Sequence, residues 1–328
     1  MNPRSVLIKV PATVGNFAGA MDCAALTLDS MFNVKVTPRP DGRVGIRYFG
    51  ENGDRIPRDR QNLVVRAMEA ALHQKGLEFT GADFEVYSSV PVGVGLGSST
   101  AAVLAGLIAA DRLYSLELDE KVLFELARIY ETRLDNLHAA WHGGFVACTG
   151  DAPPHVLRRT FIPGDFVLSV VTPELDPFIG VKDQNAADLV SLDRSLHLDR
   201  ARALADLFAR PSRSAVAAFG PAQSPGSRKV VPGLEEALKV RAEGVIGVFV
   251  CGSGPGVGIL SRKNPEEAIR SVRRCFLENG LTSTYGLFRP TNAGAHELNA
   301  MTPRITFPAL QLAEPHATAS VLQFPPEM

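Results

Sequence analysis

The chain has 328 residues, with 34 Lys and Arg against 35 Asp and Glu, a formal charge of −1. That balance argues against a general nucleic-acid binder, which carries a basic excess to neutralise phosphates. Hydrophobic residues make up 45% and charged residues 21%, which excludes a disordered chain and allows one large domain or two ordinary ones.

Met1-Asn-Pro-Arg-Ser leads into the strand pattern Val6-Leu-Ile-Lys-Val10, not into the apolar core and small-residue cleavage site of a signal peptide. The apolar stretch Ala101 to Ala110 stops at Asp111 and Arg112, well short of the roughly 20 residues a membrane-spanning helix needs. A cytoplasmic location is therefore expected, with no membrane partner. Cys23, Cys148, Cys251 and Cys275 are widely spaced and form no CxxC pair, so they read as buried thiols and not as a zinc ribbon, a disulfide framework or a catalytic nucleophile.

Residues 6–10 and 32–37 read as strands, and the turn Pro40-Asp41-Gly42 leads into 43–49, expected to pair back as a hairpin. After a second turn at Asn52-Gly53, residues 61–73 have helical apolar spacing closed by Gly76, and 84–90 is again a strand. That strand runs into Pro91-Val-Gly-Val-Gly-Leu-Gly-Ser-Ser-Thr100 and a nearly all-apolar helix. A helix over 119–131, capped by Asp119, and a short one over 135–142, ended by Gly143-Gly144, follow.

Asp151-Ala-Pro-Pro154 reads as a linker and places a domain boundary between residues 152 and 153. Beyond it, strands are expected at 156–159 and 166–171, an irregular Pro/Gly/Ser/Ala-rich loop at 210–229, a helix at 234–243, and a strand at 245–251. A second glycine-rich turn, Gly252 to Gly258, precedes a helix at 265–279, and a Pro-rich tail follows Met301.

The chemistry concentrates at Gly93 to Thr100, where a strand, a glycine-rich turn and a helix N-terminus present several backbone N–H groups to an anion. The loop is neither a Walker A motif, lacking its Lys, nor a dinucleotide fingerprint, whose spacing Gly-x-Gly-x-Gly breaks; alone, a tight structural turn explains it equally well. Ser98 and Ser99 stand where a hydroxyl could hold a phosphate-bound Mg²⁺, with helix capping as the alternative.

Three segments together resemble the motifs of the GHMP kinases, particularly the homoserine kinases: Pro11-Ala-Thr-Val-Gly-Asn-Phe-Ala-Gly-Ala-Met-Asp22, the stretch Pro91 to Ala101, and Cys251-Gly-Ser-Gly-Pro-Gly256. Asp135-Asn136 followed by Ala140-x-x-Gly143-Gly144 resembles a fourth. The resemblance implies a two-domain α+β fold, a ribosomal-S5-like N-terminal domain followed by a ferredoxin-like one. It implies ATP and Mg²⁺ as cofactors and phosphorylation of a small alcohol, L-homoserine above others. A homodimer is a further, weaker implication.

Carried over by position, the resemblance makes Ser99 and Glu131 the Mg²⁺ ligands, with Glu125 as the second choice of carboxylate. Pro91, Gly93, Gly95, Leu96, Gly97, Ser98, Ser99 and Thr100 would form the nucleotide loop, Gly252 and Gly254 its support, and Asn62 a contact at the adenine end. Asn16, Asp22, Asp135 and Asn136 would bind the acceptor, with Asp135 open to a role as base. Arg228 is the candidate for the substrate carboxylate, with Arg194 and Arg213 behind it.

Several positions depart from the family pattern. Ala18-Gly19-Ala20-Met21 replaces family glycines and an aromatic, Arg133-Leu134 replaces His-Pro, and Ala139, Trp141 and His142 are unusual. His138 and His142 have metal-capable spacing, but without the Glu of an HExxH pattern or a third ligand readable in the sequence they read as packing or pocket-lining residues. Another GHMP activity, or a nucleotide-binding homologue without turnover, are the alternatives.

Overall fold

The computed structural model describes residues 5–149, 155–175, 194–210, 231–263 and 265–298. The loop expected at 210–229 and the tail after Met301 lie outside the described residues, apart from Arg210. No helix among the described residues is long and apolar enough to cross a membrane.

One sheet is built from β1 (Val6–Val14), β2 (Ala24–Pro38), β3 (Val44–Phe49), β4 (Ala82–Ser88), β5 (Phe145–Cys148), β6 (Val156–Thr160) and β11 (His296–Glu297). Its main path runs β11-β1-β2-β4-β3, with β5 pairing β2 and β6 pairing β5. The expected hairpin at 43–49 does not form. β3 pairs parallel with β4, which itself pairs with β2. Burial explains the choice: β4 alternates buried Ala82, Phe84, Val86 and Ser88 and fits a central strand, whereas every residue of β3 is half-buried or exposed and suits an edge.

The helices α1 (Leu63–Gln74), α2 (Ser98–Tyr114), α3 (Glu120–Ala127) and α4 (Leu134–His142) belong to this half. α2 is buried without interruption from Thr100 to Asp111, as its Ala/Leu/Val/Ile run demands, and packs on β1, β2 and α1. α3 is capped by Asp119, whose side chain accepts from the Val122 N–H at 2.8 Å. It ends at Ala127, four residues before the expected limit, and the turn 128–133 that follows carries Glu131.

The second sheet contains β7 (Val167–Pro173), β8 (Val245–Val250), β9 (Val257–Ser261) and β10 (Ser283–Phe288), all antiparallel, in the order β10-β7-β9-β8. In chain order that is 4-1-3-2, the split βαβ arrangement of ferredoxin-like folds. α5 (Arg194–Ala209), which was not readable in the sequence, packs on β5 and β6 of the first sheet, while α6 (Leu234–Leu238) and α7 (Glu266–Glu278) pack together. α6 stops at Leu238, shorter than the helix expected over 234–243.

The expected boundary between 152 and 153 falls between β5 and β6, which pair antiparallel, so the first sheet extends past it to Thr160 and regains a strand at 296–297. The Pro-rich segment itself lies outside the described residues, and its residue types alone do not tell whether the next strand rejoins the old sheet.

The halves share a core at Phe17. Its ring lies 5.8 Å from Phe145 of β5, 6.0 Å from Phe208 of α5 and 4.6 Å from Phe249 of β8, so one side chain touches both sheets and the helix between them. Removing a buried aromatic of this kind costs about 3–5 kcal/mol. Phe17→Ala is expected to lower the urea midpoint by that equivalent, in one transition, because both halves lose the same partner; two separated transitions would show that the halves do not unfold together.

Candidate active site

Three backbone segments distant in sequence meet at the N-terminus of α2. The Thr13 N–H donates to the Leu96 carbonyl at 3.1 Å, and the Gly252 N–H to the Gly15 carbonyl at 3.2 Å. A Cβ on Gly95 would stand 2.0 Å from the Cys251 carbonyl oxygen, and one on Gly97 would stand 2.1 Å from Thr13 Oγ1. Both residues also have positive φ, 86° and 71°, so glycine is required twice over. Pro91, Gly93, Gly95, Leu96, Gly97 and Ser98 thus form a loop braced by Gly252 and Gly254, opening on the first turn of a 17-residue helix. That geometry suits an anion.

Neither Ser98 nor Ser99 caps α2: the N-cap is Gly97, with no side-chain cap bond. Ser99 instead donates its hydroxyl to Glu131 Oε2 at 2.9 Å, and Thr100 donates to the same oxygen at 2.7 Å. Glu131 Oε1 accepts the Arg133 N–H at 3.0 Å. The side chain is buried, at 7% exposure, and each of its hydrogen bonds comes from a neutral donor. A buried carboxylate beside an exposed hydroxyl is a hard oxygen donor set of the type Mg²⁺ takes from a protein, leaving its other positions to phosphates and water. Glu125, by contrast, is exposed and faces Lys121 one turn away.

The residues that the resemblance assigns to the acceptor also converge. Asp135, fully buried on the first turn of α4, accepts the Asn16 N–H on Oδ2 at 2.7 Å and the Asn136 N–H on Oδ1 at 2.8 Å. Asn16 Oδ1 in turn accepts the Asp22 N–H at 2.8 Å. Asn136 fills the space above Gly15, where a Cβ would stand 2.7 Å from its Oδ1.

A family model described as the GHMP kinases N terminal domain matches residues 62–144. A homoserine kinase of Persephonella marina is 26% identical over 307 residues, covering 88% of this chain and 97% of that protein. One from Aquifex aeolicus is 28% identical, covering 81% and 91%. A crystal structure of homoserine kinase from Cytophaga hutchinsonii superposes with a TM-score of 0.67 at 22% identity, covering 90% of this chain and 97% of that one. The Methanococcus jannaschii mevalonate kinase superposes at 0.59 and 13% identity, covering 88% and 98%. The chain is a GHMP kinase relative.

Of the residues carried over from those kinases, Asn62 caps α1: Oδ1 accepts the Val64 N–H at 3.0 Å and Nδ2 donates to the Pro57 carbonyl at 2.8 Å. One end of its amide caps the helix and the other holds the loop before it. Arg228 and Arg213 lie outside the described residues. Arg194 opens α5, and its charge acts on Asp22.

Two groups escaped the sequence reading. Arg133, which registered only as a departure from the family's His-Pro, places a guanidinium nitrogen 3.2 Å from where a Gly252 Cβ would be, and its charge acts on both Asp22 and Asp135. α5 supplies His197, whose Nδ1 lies 2.9 Å from the Gly19 carbonyl, and Arg200, which donates to the same oxygen at 2.9 Å. A charged residue directly before the Asp135-Asn136 pair was the available signal for Arg133; nothing local marked α5.

Burial, reinforced by the Asp22 carboxylate, pushes the Asp135 carboxyl up to about 7, against the pull of the Asn16 N–H and of Arg133. Burial also raises Asp22, which Arg133, His197 and Arg194 counter. An unfolded Asp titrates at about 3.9, so between about pH 4 and 7 the folded chain holds a proton on Asp135 that the unfolded chain has released, and stability falls as pH rises through that window. The melting temperature is expected to decline from pH 5 to pH 8, with a shallower slope in Asp135→Asn; equal slopes in thermal melts would show that Asp135 titrates like an exposed carboxyl.

Proposed function

We propose that this GHMP kinase relative transfers the γ-phosphoryl group of ATP to the side-chain hydroxyl of L-homoserine. The observation that carries the reading is the meeting of Ser99 and Glu131 at the mouth of the glycine loop, one short turn from the Asp135, Asn16 and Asp22 cluster. Phosphoryl transfer demands mainly alignment and charge neutralisation, and this arrangement sets a phosphate cradle next to a polar acceptor pocket. The relatives named above as homoserine kinases favour homoserine over other alcohols.

Mg-ATP, when bound, supplies the transferable phosphoryl group and a cation that spreads its charge. The chain's own residues divide the remaining work. Loop N–H groups from Gly93 to Thr100 hold the phosphates, and Ser99 and Glu131 hold the ion. Asn62 shapes the adenine end through the loop it caps. Asp22 and Asp135 receive the acceptor's ammonium, with the Asn16 and Asn136 N–H groups fixing the Asp135 carboxylate and the Asn16 side chain holding the Asp22 backbone. Arg133 stands on the same pocket and supplies a cation for the acceptor's carboxylate, the role for which the sequence offered Arg228.

Asp135 takes the hydroxyl proton. At neutral pH its raised value leaves it poised between acid and base. An ammonium entering beside it favours the carboxylate form, so the acceptor's own charge prepares the base.

The direct test is ADP release with Mg-ATP against L-homoserine, L-threonine, mevalonate and phosphomevalonate. Homoserine-dependent turnover is expected, with Glu131→Ala lowering it by about 100-fold or more. Turnover with mevalonate in place of homoserine would overturn the substrate. Arg133→Ala is expected to raise the homoserine KM while leaving that for ATP nearly unchanged.

The proton's route has its own signature. kcat/KM reports the free enzyme and kcat the loaded one. With homoserine, the pH inflection of kcat is expected below that of kcat/KM, which falls at about 7, and Asp135→Asn should abolish both. Coincident inflections would exclude ionisation by the acceptor.

A further inference from the structure

His138 and His142 are not used by the phosphoryl-transfer reading, and the structure supplies the third partner that the sequence lacked. They stand one turn apart on α4, their rings nearly parallel, 4° between planes and 5.9 Å between centroids. Glu120, on the first turn of α3, faces them. One ring nitrogen of each histidine and one carboxylate oxygen of Glu120 lie within 4.8 Å of one another. His142 Nε2 is 3.4 Å from Glu120 Oε1.

The surroundings orient this cluster. Trp141 donates its indole N–H to Glu120 Oε2 at 3.0 Å, which turns the other carboxylate oxygen toward His142. Phe124 of α3 meets the His138 ring edge-on at 4.5 Å and so fixes its plane. The guanidinium of Arg159, whose charge opposes a cation here, is bound to the carbonyls of Gly143 and Asn292.

We propose that Glu120, His138 and His142 form a binding site for a divalent transition-metal ion of the zinc class, separate from the Ser99 and Glu131 pair. Two imidazoles and one carboxylate are the ligands such ions select, whereas Mg²⁺ and Ca²⁺ take oxygen alone. A three-ligand set of this composition leaves a fourth tetrahedral position to water. Ligand atoms around zinc stand about 3.4 Å apart, given bond lengths of about 2.0–2.1 Å. His142 Nε2 and Glu120 Oε1 already stand at that separation, 3.4 Å, and side-chain rotation brings the remaining pairs, within 4.8 Å, to it.

The ligands straddle the turn 128–133, so a bound ion ties the start of α3 to the end of α4 and clamps the segment that carries Glu131. Its role is to stiffen the hairpin under the phosphate loop.

Trp141 is the only tryptophan of the chain and touches one of the ligands, which makes it a local reporter. Chelator-treated full-length protein is titrated with Co²⁺ while tryptophan emission is followed, and Zn²⁺ is then added as a competitor. Saturable quenching reversed by Zn²⁺ is expected. Glu120→Gln and His142→Ala should each raise the midpoint by at least about tenfold. His155→Ala, an exposed histidine outside the cluster, should leave it unchanged.

Glu120→Gln keeps an acceptor for the indole N–H on an exposed side chain, so it tests the site without disturbing the core. Zn²⁺ should also raise the melting temperature of the parent protein and not that of Glu120→Gln. No quenching, or a midpoint that neither Glu120→Gln nor His142→Ala moves, overturns the site.

Discussion

The Gly95 backbone lies so close to the Cys251 carbonyl that no side chain fits between them, and the site depends on that approach. The glycine-rich loop before α2 is only a turn after β4; what gives it a fixed shape is the glycine-rich turn of the other sheet pressed against its back. Gly252 then donates to Gly15, and Leu96 accepts from Thr13, so β1 is locked into the same junction. Backbone contacts of this kind tolerate no added atom, and this explains why glycine and small residues recur in three separate stretches. The two halves of the molecule are held in register where the chemistry is proposed to occur.

Carboxylates cluster tightly in the short hairpin from α3 to α4. Glu131 is satisfied by two hydroxyls and one backbone N–H; Asp135 is satisfied by two backbone N–H groups. Neutral donors stabilise a buried carboxylate without cancelling its charge, so the pocket retains its attraction for cations. Arg133 is positioned between these groups and the Gly252 turn and keeps the pocket from being uniformly negative. This combination suits an acceptor that carries both signs of charge, and it would serve a neutral sugar or an acidic alcohol poorly.

What could be read in the sequence follows from how local each cause is. The helix after the glycine loop was legible because its apolar run can only be buried, and the Ser99 and Glu131 pair because its register came with the motif. The place of β3 was not, since its edge position depends on β4 outcompeting it for β2. α5 escaped because its buried residues His197, Ala201, Leu204, Ala205, Leu207 and Phe208 include a histidine and two alanines, so its apolar stripe is thin. The third member of the histidine cluster was invisible for a similar reason: Glu120 sits on a different helix, 18 residues before His138, and meets it only once α3 and α4 pack.

The segment from Asn16 to Asp22 shows how a helix outside the pocket takes part in its geometry. Asn16, Ala18 and Asp22 all adopt left-handed backbone, with φ of 51°, 51° and 53°. Such a conformation costs an L-residue roughly 1–2 kcal/mol, least for Asn and Asp, and Ala18 has no polar side chain to offset it. This strained path is what aims the Asn16 N–H at Asp135 and the Asn16 side chain at the Asp22 N–H. Left to itself the segment would relax and take both hydrogen bonds with it. Two restraints oppose that: Phe17 is clamped among three aromatic rings, and His197 and Arg200 of α5 both hold the Gly19 carbonyl. The strain therefore persists because packing on both sides fixes the backbone more strongly than its own dihedral preferences do, and the pocket proposed for the acceptor derives its shape from a helix whose side chains do not hydrogen-bond Asp135.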